Sequence, residues 1–218
     1  YFDKVIAIDS NNSFIWANKG LALYEQGKYA EAIECFDKAI EINPNYAQAW
    51  HYKADTLYKQ LEYSEAMECY EKGISINPNL NYANTWNNMG SILQMRGRNA
   101  EAQEYFDKAV EINKNAAVSW VGAGDVSYFL GEYSKAIERY EIAIHLDPSN
   151  AYAWYKKGYL LHEKGKYSEA IECYNRTIEL VPDNAYVWHN KGLALLPLGR
   201  YMEAQECFIK ARELGYTR

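Results

Sequence analysis

Five prolines, four cysteines and four histidines are all that the 218 residues contain of those types, and each scarcity closes off a class of protein. So little proline excludes collagen-like and proline-rich disordered chains, while 49% apolar and 24% charged residues mark a chain that folds. Cys35, Cys69, Cys173 and Cys207 form no C-x-x-C, so they fit neither a disulfide framework nor a zinc site. They read as small core residues in a reducing compartment, and a cytoplasmic location is expected. Basic charge is short as well: 23 Lys and Arg against 29 Asp and Glu leave a formal net charge of -6, whose field repels phosphate backbones and anionic headgroups. Neither nucleic acid nor a membrane is expected as a partner. No purely apolar run approaches the ~20 residues that cross a bilayer. "YFDKVIAIDS" carries no signal-peptide pattern, and because it opens without Met and mid-pattern, more sequence is expected upstream.

What the chain does have is periodic. Its six tryptophans, Trp16, Trp50, Trp86, Trp120, Trp154 and Trp188, are separated by 34, 36, 34, 34 and 34 residues, a period that signals stacked repeats. Four residues after each Trp stands Gly20, Ala54, Gly90, Gly124, Gly158 or Gly192, and seven after it Leu23, Leu57, Leu93, Ser127, Leu161 or Leu195. Offsets 0, 4, 7 and 11 share one face of a helix, so each Trp starts the buried stripe of a helix of about 13 residues. At offset eleven Gly27, Gly97, Gly131, Gly165 and Gly199, with Leu61 the exception, suit a left-handed helix end. A second apolar-periodic segment follows, such as "YAEAIECFDKAIEI", with Ala at offset sixteen and Phe36, Tyr70, Phe106, Tyr140, Tyr174 or Phe208 at offset twenty. Small residues let two helices approach, and the rings fill the space between successive pairs. Pro44, Pro78, Pro148 and Pro182 then stop the second helix. Each unit is therefore an αα-hairpin.

Trp, Leu, Gly, Gly-x-Tyr, Ala, Phe/Tyr and Pro at these offsets resemble the tetratricopeptide repeat family across essentially the whole chain. The resemblance implies an all-α, right-handed α-solenoid superhelix of stacked helix-turn-helix repeats: one domain over 1–218, divided as 1–12 (the end of a preceding repeat), 13–46, 47–82 with a two-residue insertion, 83–116, 117–150, 151–184 and 185–218. Departures are local. Ser127 replaces Leu, Gly73 and Thr177 replace Ala, Lys114 replaces Pro, and Pro197 should end or kink its helix early. Lys19, Lys53, Lys157 and Lys191 stand where the family is usually apolar, and their methylenes can pack while the ammonium reaches outward.

In the family the first helices line a concave groove. Opposite the core stripe lie offsets -2, +1, +2, +5, +8 and +9, a surface rich in Tyr, Asn and His. The candidate groove residues are Asn18, His51, Tyr52, Asp55, Asn87, Asn88, Asp125, Tyr152, Tyr155, Lys156, Tyr159, His189 and Asn190. The densest patch joins Tyr152, Tyr155 and Tyr159 with Tyr186; such rings either grip a protein segment or pack on one another. Asn18, Asn88 and Asn190 resemble part of an asparagine ladder by which a family member holds an extended peptide backbone, although Tyr52, Gly122 and Lys156 interrupt the row; as plain surface amides they would carry no such role. The two-carboxylate clamp of co-chaperone members is not supplied, since the residue after each Trp is never Lys.

His51 and Asp55, four residues apart, could share a proton or a metal, or form a merely polar pair. No nucleophile elbow, phosphate-binding loop or H-E-x-x-H accompanies them, so no enzyme, metal or cofactor is expected. The expected function is a scaffold that binds a peptide or protein in the groove. The alternative is a self-assembling solenoid segment that forms a homo-oligomer through uncapped ends.

Overall fold

The computed structural model describes residues 2–78 and 82–217. The two-residue insertion between the second and third tryptophan units falls partly at 79–81, outside the described residues. Thirteen α-helices occur among the described residues: α1 (Phe2–Ile8), α2 (Ser13–Glu25), α3 (Tyr29–Ile42), α4 (Ala47–Lys59), α5 (Tyr63–Ile76), α6 (Ala83–Met95), α7 (Asn99–Ile112), α8 (Ala117–Phe129), α9 (Tyr133–Leu146), α10 (Ala151–Glu163), α11 (Tyr167–Leu180), α12 (Ala185–Leu195) and α13 (Tyr201–Glu213). The all-α fold class of paired helices is thus confirmed. Pro197 ends α12 early, as expected, in a 3-10 turn over Leu196–Leu198. No helix of the described residues is long and apolar enough to cross a membrane.

The chain divides into two compact units, Tyr1–Arg98 and Asn99–Arg218. In the first, α2 pairs with α3, α4 with α5, and α3 packs on α4. In the second, α8 pairs with α9, α10 with α11 and α12 with α13, while α7, α9 and α11 each pack on the helix that follows.

The recurring residues explain the hairpins. Ala32, Ala66, Ala102, Ala136, Ala170 and Ala204 are fully buried, as are the rings of Phe36, Tyr70, Tyr140 and Tyr174. In three hairpins the ring at offset twenty accounts for the glycine four after Trp: a Cβ on Gly20 would sit 2.6 Å from Phe36, one on Gly124 2.7 Å from Tyr140 and one on Gly192 2.5 Å from Phe208. Five Trp indoles donate to the carbonyl six residues back: Trp16 to Ser10, Trp50 to Pro44, Trp120 to Lys114, Trp154 to Pro148 and Trp188 to Pro182, at 2.8 to 3.1 Å. Each of these tryptophans therefore ties its helix to the turn before it. Because the acceptor is a backbone carbonyl, Lys114 serves as well as Pro. Hairpin turns pass through the left-handed region, at φ 73° for Gly27 and 66° for Leu61, the only such non-glycine among the described residues.

Two sequence departures form one contact. Ser127 stands where the other five hairpins have Leu, and Arg139 stands where four of them have Cys35, Cys69, Cys173 and Cys207. The shorter serine leaves room for the longer arginine, which is only 6% exposed. Arg139 donates to Ser127 Oγ at 2.8 Å, to the Ala123 carbonyl at 2.9 Å and to Asp107 at 2.5 Å, so it clasps α7, α8 and α9 together.

Candidate functional site

The candidate groove residues fall on the first helices of their hairpins, in both compact units. In the second unit Asp125, on α8, accepts hydrogen bonds from Tyr140 at 2.5 Å and from Tyr152 at 3.0 Å. Lys156, one hairpin on, brings its ammonium to 3.5 Å from the same carboxylate and 4.5 Å from the centre of the Tyr128 ring. An amine thus sits in a carboxylate and aromatic cage built by α8, α9 and α10. Burial, and then the Asp125 charge, hold the Tyr140 and Tyr152 hydroxyls protonated well above the usual phenol range.

Beside it, Tyr155 and Tyr159 are half-buried, while Tyr152 is 48% and Tyr186 64% exposed. Tyr155 Oη accepts from Asn190 Nδ2 at 3.1 Å, and Tyr159 meets Tyr128 edge to face at 6.3 Å. The tyrosine patch is therefore braced from below and open above. His189 stacks on Tyr216 at 4.1 Å, and Tyr216 also meets Tyr186 edge to face. Gly215, with φ 91°, turns the chain so that this ring returns to α12.

The first unit repeats the carboxylate contact without the amine. Asp55, on α4, accepts from Tyr70 at 2.5 Å and from Asn88 Nδ2 at 3.1 Å, and Asn88 also donates to the Tyr70 oxygen at 2.9 Å. Burial raises the Asp55 pKa, and the Tyr70 and Asn88 bonds oppose the rise. Tyr52 lies against Phe36, with ring centres 5.8 Å apart. Asn87 is half-buried, with its Oδ1 enclosed and unbonded.

Two expectations need correction. His51 is 2% exposed rather than on the groove face: its Nδ1 lies 3.1 Å from Thr85 Oγ1, and its ring meets Tyr82 edge to face. Its space comes from Gly73, where a Cβ would stand 2.8 Å from His51 Nε2. His51 and Asp55 do not form a pair, because Asp55 is bonded to Tyr70 and Asn88, and the described residues hold no cluster of three metal-binding side chains. The asparagine row is bonded internally: Asn18 donates to its own helix at the Phe14 carbonyl, Asn88 to Asp55 and Tyr70, and Asn190 to Tyr155.

Family models of the tetratricopeptide repeat match residues 13–46, 47–80, 83–116 and 185–214, and the related TPR repeat model matches 124–165 and 158–199. The chain belongs to the tetratricopeptide repeat family. Among solved tetratricopeptide-like structures, YrrB, described as a TPR protein with an unusual peptide-binding site, superposes with a TM-score of 0.75 at 23% identity, over 87% of this chain and 97% of that one. MamA superposes at 0.68 with 27% identity over 74% and 93%, and PilF of Pseudomonas aeruginosa at 0.77 with 20% identity over 93% and 91%. No curated protein sequence matches the chain.

Within this tetratricopeptide frame the sequence carried a signal that offset reading by single helices missed. Asp stands five residues after Trp in two of the three hairpins whose second helix has Tyr at offset twenty, as Asp55 with Tyr70 and Asp125 with Tyr140. The third such hairpin has Tyr159 at that place, and there the Tyr174 hydroxyl is buried without a bond. The Phe hairpins have Leu21, Ser91 and Leu193. Tyr70 and Tyr140 are thus partners of the site, not only core fillers.

Proposed function

We propose that the chain is a protein-interaction scaffold of hairpin repeats, 13–46 through 185–218, which holds an extended peptide or protein segment on its first-helix face. The centre of binding is placed at α10, and one observation carries that placement: Tyr152 and Tyr186 are exposed on consecutive first helices, with Tyr155 and Tyr159 immobilised beside them. Rings already held by neighbours lose little freedom when a guest arrives, so more of the contact energy appears as affinity. The peptide-binding site of YrrB, a protein of the same fold, agrees with this reading.

The test is an affinity capture from the source cell with the Tyr155→Ala/Tyr159→Ala variant as control, followed by calorimetry on each captured partner. A guest of this face is lost with the variant. Equal capture by both proteins rejects the placement.

A second reading, self-association through α13, draws on exposed Tyr201, Met202 and Ile209. Arg212 works against it, since this position is Ile or Val in the other hairpins. Light scattering across a concentration series decides: a monomer at the highest concentration removes it.

A further inference from the structure

A cavity of about 300 Å3 opens in the first unit, walled by Leu21, Phe36, Tyr24 and Tyr52. Two carboxylates, Glu25 from α2 and Asp55 from α4, stand at its sides, and Asn84 is its remaining lining residue. No Lys or Arg lines it. Glu25 has no ion-pair partner among the described residues, and the cation that acts on Asp55 is the exposed Lys59 one turn along α4. The two acids share this space with Tyr24, whose hydroxyl is held protonated by burial first and then by the Asp55 charge, with Glu25 contributing.

The second unit shows what a carboxylate in this setting receives. Asp125 stands five residues after its Trp, as Asp55 does, and each accepts the hydroxyl of its own hairpin's buried Tyr. On Asp125 the next hairpin supplies the Lys156 ammonium, over the Tyr128 ring. On Asp55 the equivalent residue is Asn88, which satisfies the hydrogen bond but brings no charge. The first unit therefore has the acid without the internal amine, and the aromatic rings beside that acid in the cavity come from α2, α3 and α4.

We propose that this cavity receives the side chain of a lysine or arginine from a bound polypeptide. The apolar stem packs on Leu21, Phe36 and the tyrosine rings, and the charged head lies between Glu25 and Asp55. The proposal rests on the scaffold reading above and adds the guest's chemistry: a basic residue at the first unit.

The test is an NMR titration of the full chain with n-butylammonium and n-butylguanidinium, with n-butanol as the uncharged control. Both cations should shift the ring signals of Tyr24, Tyr52 and Phe36, butanol should not, and Glu25→Gln should weaken cation binding by about threefold to fivefold. The Glu25 carboxylate bonds to nothing among the described residues, so this variant keeps the structure; Asp55→Asn, verified by its amide spectrum, should deepen the loss. Equal shifts from butanol, shifts confined to other residues, or unchanged binding by Glu25→Gln overturn the proposal. Failure here is distinct from failure of the scaffold reading: a guest lost with Tyr155→Ala/Tyr159→Ala yet unaffected by Glu25→Gln sinks only the cavity.

Discussion

His51 shows how a polar side chain is kept inside a helical stack. It lies beneath Tyr82 with one nitrogen on Thr85 and the other, Nε2, enclosed and unbonded, and Gly73 leaves room for the ring. Burial lowers its pKa from 6.5 to about 4, so the folded chain holds the neutral ring while the unfolded chain takes up a proton. The sign follows: stability from this residue is complete above pH 6.5 and falls as the pH drops toward 4, by on the order of 3 kcal/mol. Urea unfolding at stepped pH should show this acid loss, flattened in His51→Leu. Arg139 is the second case. Removing it leaves Ser127 buried and breaks the clasp to Asp107, so Arg139→Ala should lower unfolding free energy by about 3 kcal/mol. Ser127→Leu/Arg139→Cys, which introduces the residues found in the sister hairpins, should lose much less, and a double-mutant cycle measures that coupling.

Among the elements, the turn between α4 and α5 carries the most readable strain. Its Leu61 has φ 66°, where five sister turns have Gly at φ 72° to 79°. A β-carbon in the left-handed region costs about 1 kcal/mol or more, partly offset by the greater freedom glycine has when unfolded. Leu61→Gly should therefore raise the thermal midpoint by about one to two degrees, on the order of 0.5 kcal/mol, and calorimetry checks it. Helix starts vary in the same way. Asn12, Asn150 and Asn184 cap α2, α10 and α12 with their side chains, whereas Tyr46 and Tyr82 stand at the equivalent place without a side-chain cap. The two tyrosines cover neighbouring helices instead, Tyr46 over the buried Ala17, Ala39 and Ala49 and Tyr82 over His51.

For the whole molecule, the expected function concentrates in a few rings. Replacing Tyr155 and Tyr159 by Ala should weaken a captured guest by more than about 1 kcal/mol, measured by calorimetry with folding verified by circular dichroism. Hairpin architecture was legible before any coordinates, because spacing along one helix dictates which side chains share a face, and because glycine, proline and tryptophan each do one local job. Trp16, for example, needs only its own helix and the carbonyl of Ser10 to take its place. The polar residues were not legible in this way. The same helix offset that puts Asn88 on Tyr70 and Asp55 puts Gly122 against Phe106, where a Cβ would come within 2.3 Å, and Asn190 on Tyr155. Period, hairpins and turns are properties of contiguous chain, and amino-acid order alone specifies them. Whether a groove-side residue meets solvent or is spent on a neighbour depends on the ring presented by another hairpin, about one repeat away, and that is settled only when the hairpins pack.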